Sequence, residues 1–466
     1  PAAHGGRSGC WGAIMIPHKE GEAKGRGCME RTDERYRHYV AILEEELIAA
    51  MGCTEPIAIA LAAARARELL GACPSRVEVE ASGSIIKNAK SVVVPHTGGL
   101  KGIEAAVAAG IVAGRADRGL EVIAEVSQAD VAQVVAYLER TPIEVGRAKS
   151  ELDFDIVVRA FAKRDAQMAG PDASARSALV RIADHHTNIV REERDGIVLR
   201  DVAPASEGGA DENLTDRSVL SMEGIWDFAT TVRIEDVRAL LDRQIACNDA
   251  IAREGLDGVW GANVGSVMLG AYGGDVKVRA CAHAAAASDA RMSGCELPVV
   301  INSGSGNQGI TVSVPLIVYA RELGSSDEQL YRALVLSNLV AIHQKTGIGR
   351  LSAFCGAVCA GAAAGAGIAY LDGGGYEEAV HAVVNALSIT AGMVCDGAKP
   401  SCAGKIAFAV NAGILGYVMY RDGQQFYGGD GIVKKGVENT IDSIARLGRD
   451  GMRATNDEII RIMLGA

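Results

Sequence analysis

The chain has 466 residues, a formal net charge of −11 and a pI near 5.4, and 48% of its residues are hydrophobic but only 4% aromatic. This length allows two or three domains, and an acidic chain without a basic stripe disfavours nucleic acid and anionic membrane as partners. Eleven cysteines without an evident secretory segment favour a reducing, cytoplasmic compartment over a disulfide scaffold.

The chain begins with a segment of little regularity. Residues 1–32 show neither helical nor strand periodicity, and we expect a flexible tail in which Met29 is a candidate natural start. Residues 33–50 have the spacing of an amphipathic helix, and after a break at 51–55 an alanine-rich helix is predicted at 56–70. We expect the unit 33–74 to pack on the catalytic domain.

The apolar period then changes from helical to alternating. Segments 75–82 and 151–162 alternate apolar and charged residues, which predicts half-buried strands, and 177–201 predicts three more strands around a turn at Asp195–Gly196. Helices are predicted between them, at 100–114 and 128–140. We therefore predict a small α/β domain with a mostly antiparallel sheet over residues 75–202.

The remainder of the chain is predicted to be helical. A polar, glycine-rich segment at 203–218 predicts a linker. Helices are predicted at 234–254, 256–272, 275–292, 310–323, 327–345, 350–371, 376–392, 403–420 and 433–447. The uncharged run 351–371 is long enough to span a membrane, but its alanine and glycine content favours a buried helix. The prediction is an α+β protein with a large all-helical domain at 219–466 and the smaller domain inserted after the N-terminal helices.

The first candidate for chemistry is Cys53. It lies directly before the helix at 56–70, where backbone N–H groups point outward and the helix dipole is positive. This position predicts a lowered thiol pKa and therefore a reactive thiolate. A capped helix with an incidental cysteine is an equally weighted alternative.

The second candidate is the set Cys355, Cys395 and Cys402. The segment between the last two contains Gly397 and Pro400, which predicts a loop that can turn both sulfurs toward one point. Three thiolates suit an iron–sulfur cluster that leaves one iron without a protein ligand, or a zinc site with an open position. Structural cysteines in an alanine-rich core are the alternative, and spacing alone favours them.

Two further segments have the composition of ligand-binding loops. The loop NSGSGNQG at 302–309 precedes an apolar helix and exposes backbone N–H groups and amide side chains, which suits a carboxylate or a phosphate. Lys87, Asn88 and Thr97 flank a glycine turn that could bind a small acid, with a solvated hairpin as the alternative. His343 and Lys345 precede Cys355, although a lone histidine is more often structural.

Five motifs in order resemble the L-cysteine desulfidase family of serine dehydratase-like proteins: GCTEPIAIALAAA, SGSIIKNAKSVVVPHTGGLKGIEAA, NSGSGNQG, LSAFCGAV and CDGAKPSCAGKIA. The resemblance runs from about residue 36 to the end. It implies a PLP-independent enzyme that converts L-cysteine and water into pyruvate, ammonia and sulfide. It also implies a [4Fe–4S] cluster held by Cys355, Cys395 and Cys402, with Cys359 as a possible substitute for Cys355, and Cys53 as the catalytic base.

The expected contacts to the amino-acid substrate follow from these motifs. They are Thr54, Glu55, Asn88, Asn302, Ser303, Gly304, Ser305, Asn307, Gln308 and Lys345. The small domain is similar to the α/β domain of serine dehydratase β chains.

Other functions stay open at this point. A more distant resemblance is to iron–sulfur L-serine dehydratases, whose counterpart of GCTEP carries a Ser-His-Thr-x-Gly-Pro motif that this chain lacks, so L-serine dehydratase is the runner-up. A zinc hydrolase and a non-catalytic amino-acid sensor are further alternatives. Besides the substrate, we expect neither nucleic acid nor membrane as a partner, and the alanine- and glycine-rich helices make a homodimer plausible.

Overall fold

The computed structural model describes residues 29–163, 176–204 and 214–465. Nearly all of the predicted tail (1–28) and most of the predicted linker (205–213) therefore lie outside the described residues. Within them, the predicted α+β architecture is confirmed: a small, mostly sheet region lies in the N-terminal half and a large helical region follows.

The N-terminal unit contains α1 (Glu34–Glu46), β1 (Ala49–Met51) and α2 (Thr54–Leu70). Alanines dominate α2, and the helix is almost entirely buried because such small side chains let neighbouring backbones approach it closely. The partner helix α4 has Gly110 at the contact, where an added Cβ would lie 2.3 Å from the Ala60 carbonyl oxygen. The chain thus holds the start of α2 firmly inside the protein.

Six strands form the main sheet, in the order β3-β2-β4-β5-β6-β7. Only β2 and β3 pair in parallel, so the sheet is mostly antiparallel as predicted. The strands are β2 (Arg76–Ala81), β3 (Ile143–Arg147), β4 (Asp155–Ala162), β5 (Arg176–Ala183), β6 (Ile189–Arg194) and β7 (Ile197–Asp201). The accompanying helices are α3 (Gly83–Ala89), α4 (Gly102–Ala113) and α5 (Gln128–Arg140). The 83–89 segment is a buried helix and not a solvated hairpin.

The helical region has eleven helices among the described residues. They are α6 (Met222–Thr231), α7 (Ile234–Asp257), α8 (Val264–Tyr272), α9 (Val276–Met292), α10 (Gly306–Leu323), α11 (Asp327–Ile348), α12 (Gly356–Leu371), α13 (Tyr376–Thr390), α14 (Ser401–Arg421), α15 (Val437–Arg446) and α16 (Arg453–Leu464). The sequence did not predict α6 or α16, and the helix expected to begin at 256 begins at Val264 because Gly261 and Asn263 adopt left-handed conformations.

One short strand interrupts the helical region. β8 (Pro298–Val300) pairs antiparallel with β1, with Ala49 opposite Val300. The prediction of an all-helical second domain missed this strand, because three residues are too few to show an alternating period. The pairing is important for function because it brings the chain just before Cys53 beside the chain just before the 302–309 loop.

The centre of the helical region is packed by small residues. An added Cβ on Gly413 of α14 would lie 2.1 Å from the carbonyl oxygen of Gly361 on α12, so these helices touch through their backbones. α12 is buried along nearly its whole length, which confirms the predicted buried helix at 351–371. By length and composition α14 could cross a membrane, but 56% of its apolar window is buried inside the protein, as in a core helix.

Candidate active site

Four helices begin at one cavity of ≈ 100 Å³. Thr54 of α2, Ser305 directly before α10, Gly356 of α12 and Cys402 in the first turn of α14 all line it. None of these four helices has a side chain that caps its first turn, so the positive ends of four helix dipoles point toward the cavity. The cavity is suited to small anionic groups.

The three cysteines Cys355, Cys395 and Cys402 all line this cavity. Backbone pairing joins two of the segments: the Cys355 N–H donates to the Met393 carbonyl oxygen (3.1 Å) and the Cys395 N–H donates to the Ala353 carbonyl oxygen (2.6 Å). Burial and the neighbouring Cys395 thiol raise the pKa of Cys355 to about 12. The structure therefore brings together three thiols that are up to 47 residues apart in the chain.

Three thiols that line one cavity are the type of donor set that the implied cluster needs. Among the described residues, no three His, Cys, Asp or Glu side chains lie close enough together to hold a single metal ion. That spacing disfavours a zinc site, whose sulfurs lie about 2.3 Å from one ion, whereas cluster ligands bind different irons. Two lysines, Lys345 and Lys405, line the same cavity, and Lys405 is ion-paired with Asp396.

Cys359 differs from these three thiols in its position. It lies one helical turn deeper in α12, is fully buried and is not among the residues that line the cavity. Burial raises the pKa of its thiol to about 11. The geometry favours Cys355 over Cys359 as the residue that faces the cavity.

Cys53 also lines the cavity, next to Glu55. It is the N-cap residue of α2, and its Sγ–H donates to Glu55 Oε2 at 3.0 Å. The expectation of a lowered thiol pKa is wrong for this structure: burial, and then the negative charge of Glu55, raise the pKa of Cys53 well above its ordinary value. The helix dipole does not outweigh a buried carboxylate in hydrogen-bond contact. Cys53 is therefore a protonated thiol, and its Sγ–H is hydrogen-bonded to the Glu55 carboxylate.

The Glu55 carboxylate is enclosed by three polar neighbours. Asn88 Nδ2 donates to Glu55 Oε1 (2.8 Å), and the Thr54 hydroxyl lies within hydrogen-bonding distance of Glu55 Oε2 (3.1 Å). Burial alone would raise the pKa of Glu55, but nearby His186 and the hydrogen bonds from Cys53 and Asn88 lower it. Glu55 is therefore a buried carboxylate whose pKa is held below its ordinary value.

The small domain reaches this site through His186. The residue lies between β5 and β6 and is buried, and it packs edge-on against Phe154 at 4.8 Å between ring centroids. An added Cβ on Gly304 would lie 2.9 Å from His186 Cε1, so the histidine also touches the 302–309 loop. The sequence offered no signal for this contact, because it depends on how the sheet packs on the helical region.

The 302–309 loop divides into two parts. Ser305, Asn307 and Gln308 line the cavity. Asn302 points away from it: its Nδ2 donates to Asn338 Oδ1 (2.9 Å), and the Ser303 hydroxyl donates to Asn302 Oδ1 (2.9 Å). Neither of them nor Gly304 is among the lining residues, although the Gly304 carbonyl oxygen is 3.0 Å from the Thr54 hydroxyl. These three residues shape the loop.

Two arginines of the cavity were missed at the level of sequence. Arg291, in the last turn of α9, and Arg350, just after α11, both line it. Arg350 is neutralised by an ion pair with Glu46 (3.1 Å). The signal for Arg291 was available: a charged residue follows an alanine run just upstream of the 302–309 loop. An arginine in a helix that is otherwise expected to be buried indicates a functional or structural partner for its charge.

The sequence matches the serine dehydratase alpha chain family over residues 117–461. The chain belongs to this family. The match covers the three cavity cysteines and Arg291, whereas Cys53, Glu55 and Asn88 lie upstream of it. Serine dehydratases are lyases of the ammonia-lyase type and, in this family, of the iron–sulfur kind, so the family supports a lyase and agrees with the cysteine set described above.

Full-length relatives extend the similarity to the N-terminal motifs. A UPF0597 protein of Desulfitobacterium hafniense is 61% identical over 436 residues, which is 94% of this chain and 98% of the relative. A UPF0597 protein of Lachnoclostridium phytofermentans is 48% identical over 92% of this chain and 100% of the relative, and one of Treponema denticola is 44% identical over 94% and 100%. The expected resemblance is thus confirmed as serine dehydratase-like.

Proposed function

We propose that this chain is an iron–sulfur-dependent, PLP-independent L-cysteine desulfidase. The reaction is a β-elimination in which L-cysteine and water give pyruvate, ammonia and hydrogen sulfide. The observation that supports this proposal most strongly is that the Cys53–Glu55 pair and the three thiols of Cys355, Cys395 and Cys402 line one small cavity.

The cluster ligands would be Cys355, Cys395 and Cys402. A [4Fe–4S] cluster held by three cysteines supplies an open iron that acts as a Lewis acid toward a leaving group. Lys345 is buried beside these thiols, and burial lowers its pKa while the thiols of Cys359 and Cys395 raise it. Its charge would stabilise sulfide that departs from the substrate's Cβ.

Proton removal from the substrate's Cα needs a base, and the pair Cys53–Glu55 fits this role. For Cys53 to act as the base, its Sγ proton must move along the 3.0 Å hydrogen bond to Glu55 Oε2, the acceptor in reach. This transfer is uphill before substrate binds, because the pKa of the thiol is raised and that of the carboxylate is lowered. The resulting thiolate takes the Cα proton, the electron pair forms the Cα–Cβ double bond, and the Cβ–S bond breaks. A thiol with a raised pKa gives a stronger base once it is deprotonated, which suits a weakly acidic C–H bond. The aminoacrylate product then hydrolyses to pyruvate and ammonia.

Enclosure of the base protects this chemistry from water. Cys53 is 2% exposed, and Val92 and Met292 pack against it. Asn88 and Thr54 fix both oxygens of the Glu55 carboxylate, so the acceptor for the thiol proton stays in place. In this dry environment the charges of the cavity act more strongly than they would in water.

The decisive experiment uses protein purified without oxygen. We expect about four irons per chain with the visible absorption of a cluster, and sulfide and pyruvate in equal amounts from L-cysteine. Protein that contains a cluster but releases no pyruvate from L-cysteine would refute the proposal.

The second candidate is L-serine dehydratase, which the serine dehydratase alpha chain family favours. The same base and the same cluster would remove water in place of sulfide. Pyruvate yield from L-serine and L-cysteine at equal concentrations separates the two, and a ratio of kcat/KM above one for L-serine would favour this candidate.

Further expectations about the setting of the enzyme accompany this proposal. We propose an amino-acid substrate as a small-molecule partner. We also propose a cytoplasmic location, since free thiols and a cluster both need reducing conditions. A homodimer is also proposed, and sedimentation of the holoenzyme tests it. The division into units at residues 33–74, 75–202 and 219–466 likewise stays a prediction.

A further inference from the structure

Arg291 is a buried cation without an anion. It is 3% exposed and lines the cavity, and its Nη1 donates to Asn307 Oδ1 at 3.1 Å. Its Nε is buried and has no hydrogen-bond partner, and among the described residues no carboxylate forms an ion pair with it. A buried guanidinium that lacks a counter-charge is unfavourable unless a ligand provides one.

The other arginine of the cavity shows the contrast. Arg350 forms an ion pair with the Glu46 carboxylate at 3.1 Å. A third arginine, Arg217, forms ion pairs with both Glu45 and Glu46. The protein thus supplies acidic partners where a guanidinium has a structural role. It supplies only a neutral amide to Arg291, which leaves the guanidinium available to an anion.

The local fold is shaped around Arg291. An added Cβ on Gly306 would lie 2.2 Å from Arg291 Nε, so only glycine at the first position of α10 leaves space for the guanidinium. The Nε–H of Arg291 and the uncapped first turn of α10 therefore meet at the same place. A guanidinium beside a helix N-terminus is a strong site for a carboxylate.

This anion site is next to the base of the proposed reaction. Met292, the residue after Arg291, packs against Cys53, and the positive charge of Arg291 acts on the Cys53 thiol. In an α-amino acid the carboxylate is bonded directly to Cα. A carboxylate held by Arg291 would therefore bring the Cα proton close to Cys53.

Acceptors for an ammonium group line the same cavity. Asn88 Oδ1 and Gln308 Oε1 are buried and have no hydrogen-bond partner. The amide of Asn88 is oriented by the bond from its Nδ2 to Glu55, so its oxygen is the free atom. Two acceptors without a hydrogen-bond partner, in the same cavity as a guanidinium without a counter-charge, match the two charged groups of a zwitterion.

We propose that Arg291 binds the α-carboxylate of the substrate, and that Asn88 and Gln308 accept hydrogen bonds from its α-ammonium group. This assignment rests on the proposed function for the identity of the reaction, but the recognition of an α-amino acid can be tested without turnover. It makes the cavity selective for α-amino acids over amines and simple acids. Arg291 acts here as a binding and positioning residue.

The test is calorimetric titration of the holoenzyme with two thiols that each lack one of the two charged α-groups, with released sulfide assayed so that any turnover is recognised. 3-Mercaptopropionate has the carboxylate but no amine, and cysteamine has the amine but no carboxylate. We expect Arg291→Gln to weaken the binding of 3-mercaptopropionate by about 30-fold or more, as for the loss of one partner of a buried charge pair, and to change cysteamine binding less than about threefold. Arg291→Lys should recover part of the loss because it keeps the charge.

Iron content and visible absorption are measured on each variant, so that a misfolded protein is recognised. Binding of 3-mercaptopropionate by Arg291→Gln within threefold of the unmodified protein would overturn the assignment. If Arg291→Gln loses its iron, Arg291→Lys is used in its place. An unchanged affinity of Arg291→Lys for 3-mercaptopropionate, together with an unchanged KM for the substrate, would also overturn the assignment. A further outcome is that the unmodified protein gives no pyruvate from L-cysteine or L-serine, while Arg291→Gln still weakens only the binding of 3-mercaptopropionate. That result would refute the proposed reaction and support the carboxylate site at Arg291.

Discussion

Cys53 and Glu55 form a buried thiol–carboxylate pair, with Sγ and Oε2 3.0 Å apart at the start of α2. The two residues are separated by one position in the chain, so the turn that begins the helix is enough to bring them together. Both side chains face the cavity that the three cysteines Cys355, Cys395 and Cys402 also line.

Removal of the Cys53 thiol should stop the reaction without removing iron. We expect Cys53→Ala to lower kcat by about 10²–10⁴, the range for loss of a positioned base, while the visible spectrum is unchanged. Cys281→Ala is the matched control, since Cys281 is also buried but lies in α9 away from the lining residues. Equal activity of the two variants would contradict the role of Cys53.

The carboxylate of Glu55 should matter as much as the thiol. In Glu55→Gln the neutral amide cannot take the Sγ proton, so we expect kcat to fall by about 10²–10⁴ with full iron content. Glu55→Asp keeps the charge and should retain more activity than the glutamine variant. If Glu55→Gln turns over normally, Cys53 does not pass its proton to Glu55.

Iron content should separate the cavity cysteines from their neighbour. We expect Cys395→Ala to lose most of its iron, because a cluster held by three cysteines needs each of them. Cys359→Ala should keep its iron, because Cys359 is fully buried and does not line the cavity. Iron and sulfide analysis of protein purified without oxygen measures both. If Cys359→Ala loses its iron and Cys355→Ala keeps it, Cys359 is the cluster ligand and Cys355 is not.

His186 should make stability fall in mild acid. Burial lowers the pKa of His186 from 6.5 to about 4. Between these values the unfolded chain binds a proton at this position and the folded chain does not, so the free energy of unfolding decreases as the pH falls through this window. The decrease is about 1.4 kcal/mol per pH unit, or about 2 kcal/mol from pH 7 to pH 5.

The measurement is urea denaturation at pH 7 and pH 5. His186→Gln cannot titrate, so its free energy of unfolding should change less over this interval than that of the unmodified protein. The same pH dependence in both proteins would show that His186 is not the buried neutral group inferred from its environment.

Two glycines of α10 should respond differently to alanine. At Gly306 the new Cβ meets the buried side chains of Arg291 and Val299 (2.2 and 2.7 Å), so the guanidinium must shift, and we expect a several-fold rise in KM and a smaller loss of stability than at Gly309. At Gly309 it meets the Val300 carbonyl oxygen (2.0 Å), and because this backbone cannot move freely we expect a loss of about 1–3 kcal/mol. Urea denaturation and steady-state kinetics on both variants distinguish the two effects.

Local pattern was sufficient for most of the fold. The alternating apolar residues of 75–82 and 151–162 predicted β2 and β4, and long apolar repeats predicted α9 to α14 to within a few residues. Local pattern failed for β8, which has too few residues to show an alternating period. It also failed before α8, where the left-handed backbone of Asn263 delays the start of the helix. These are the places where tertiary contacts outweigh propensity.

The candidate site was predicted only in part. Local pattern made Cys53 and the three cysteines Cys355, Cys395 and Cys402 candidates, but spacing alone favoured structural cysteines for the three, and only the family resemblance implied their roles. Arg291 and His186 were missed, because a charged residue in a helix and a histidine in a loop are ordinary until their burial is known. The direction of the Cys53 pKa shift was wrong for the same reason, since it depends on burial and on the charge of Glu55.

The sequence by itself determined which elements form and which side chains have reactive groups, because both depend on neighbours within a few positions. Only the tertiary structure decided that the starts of α2, α10, α12 and α14 meet at one cavity. Only it decided that Arg291, unlike Arg350, has no carboxylate partner there among the described residues. Burial and charge compensation are sums over residues that are far apart in the chain, and no local pattern contains them.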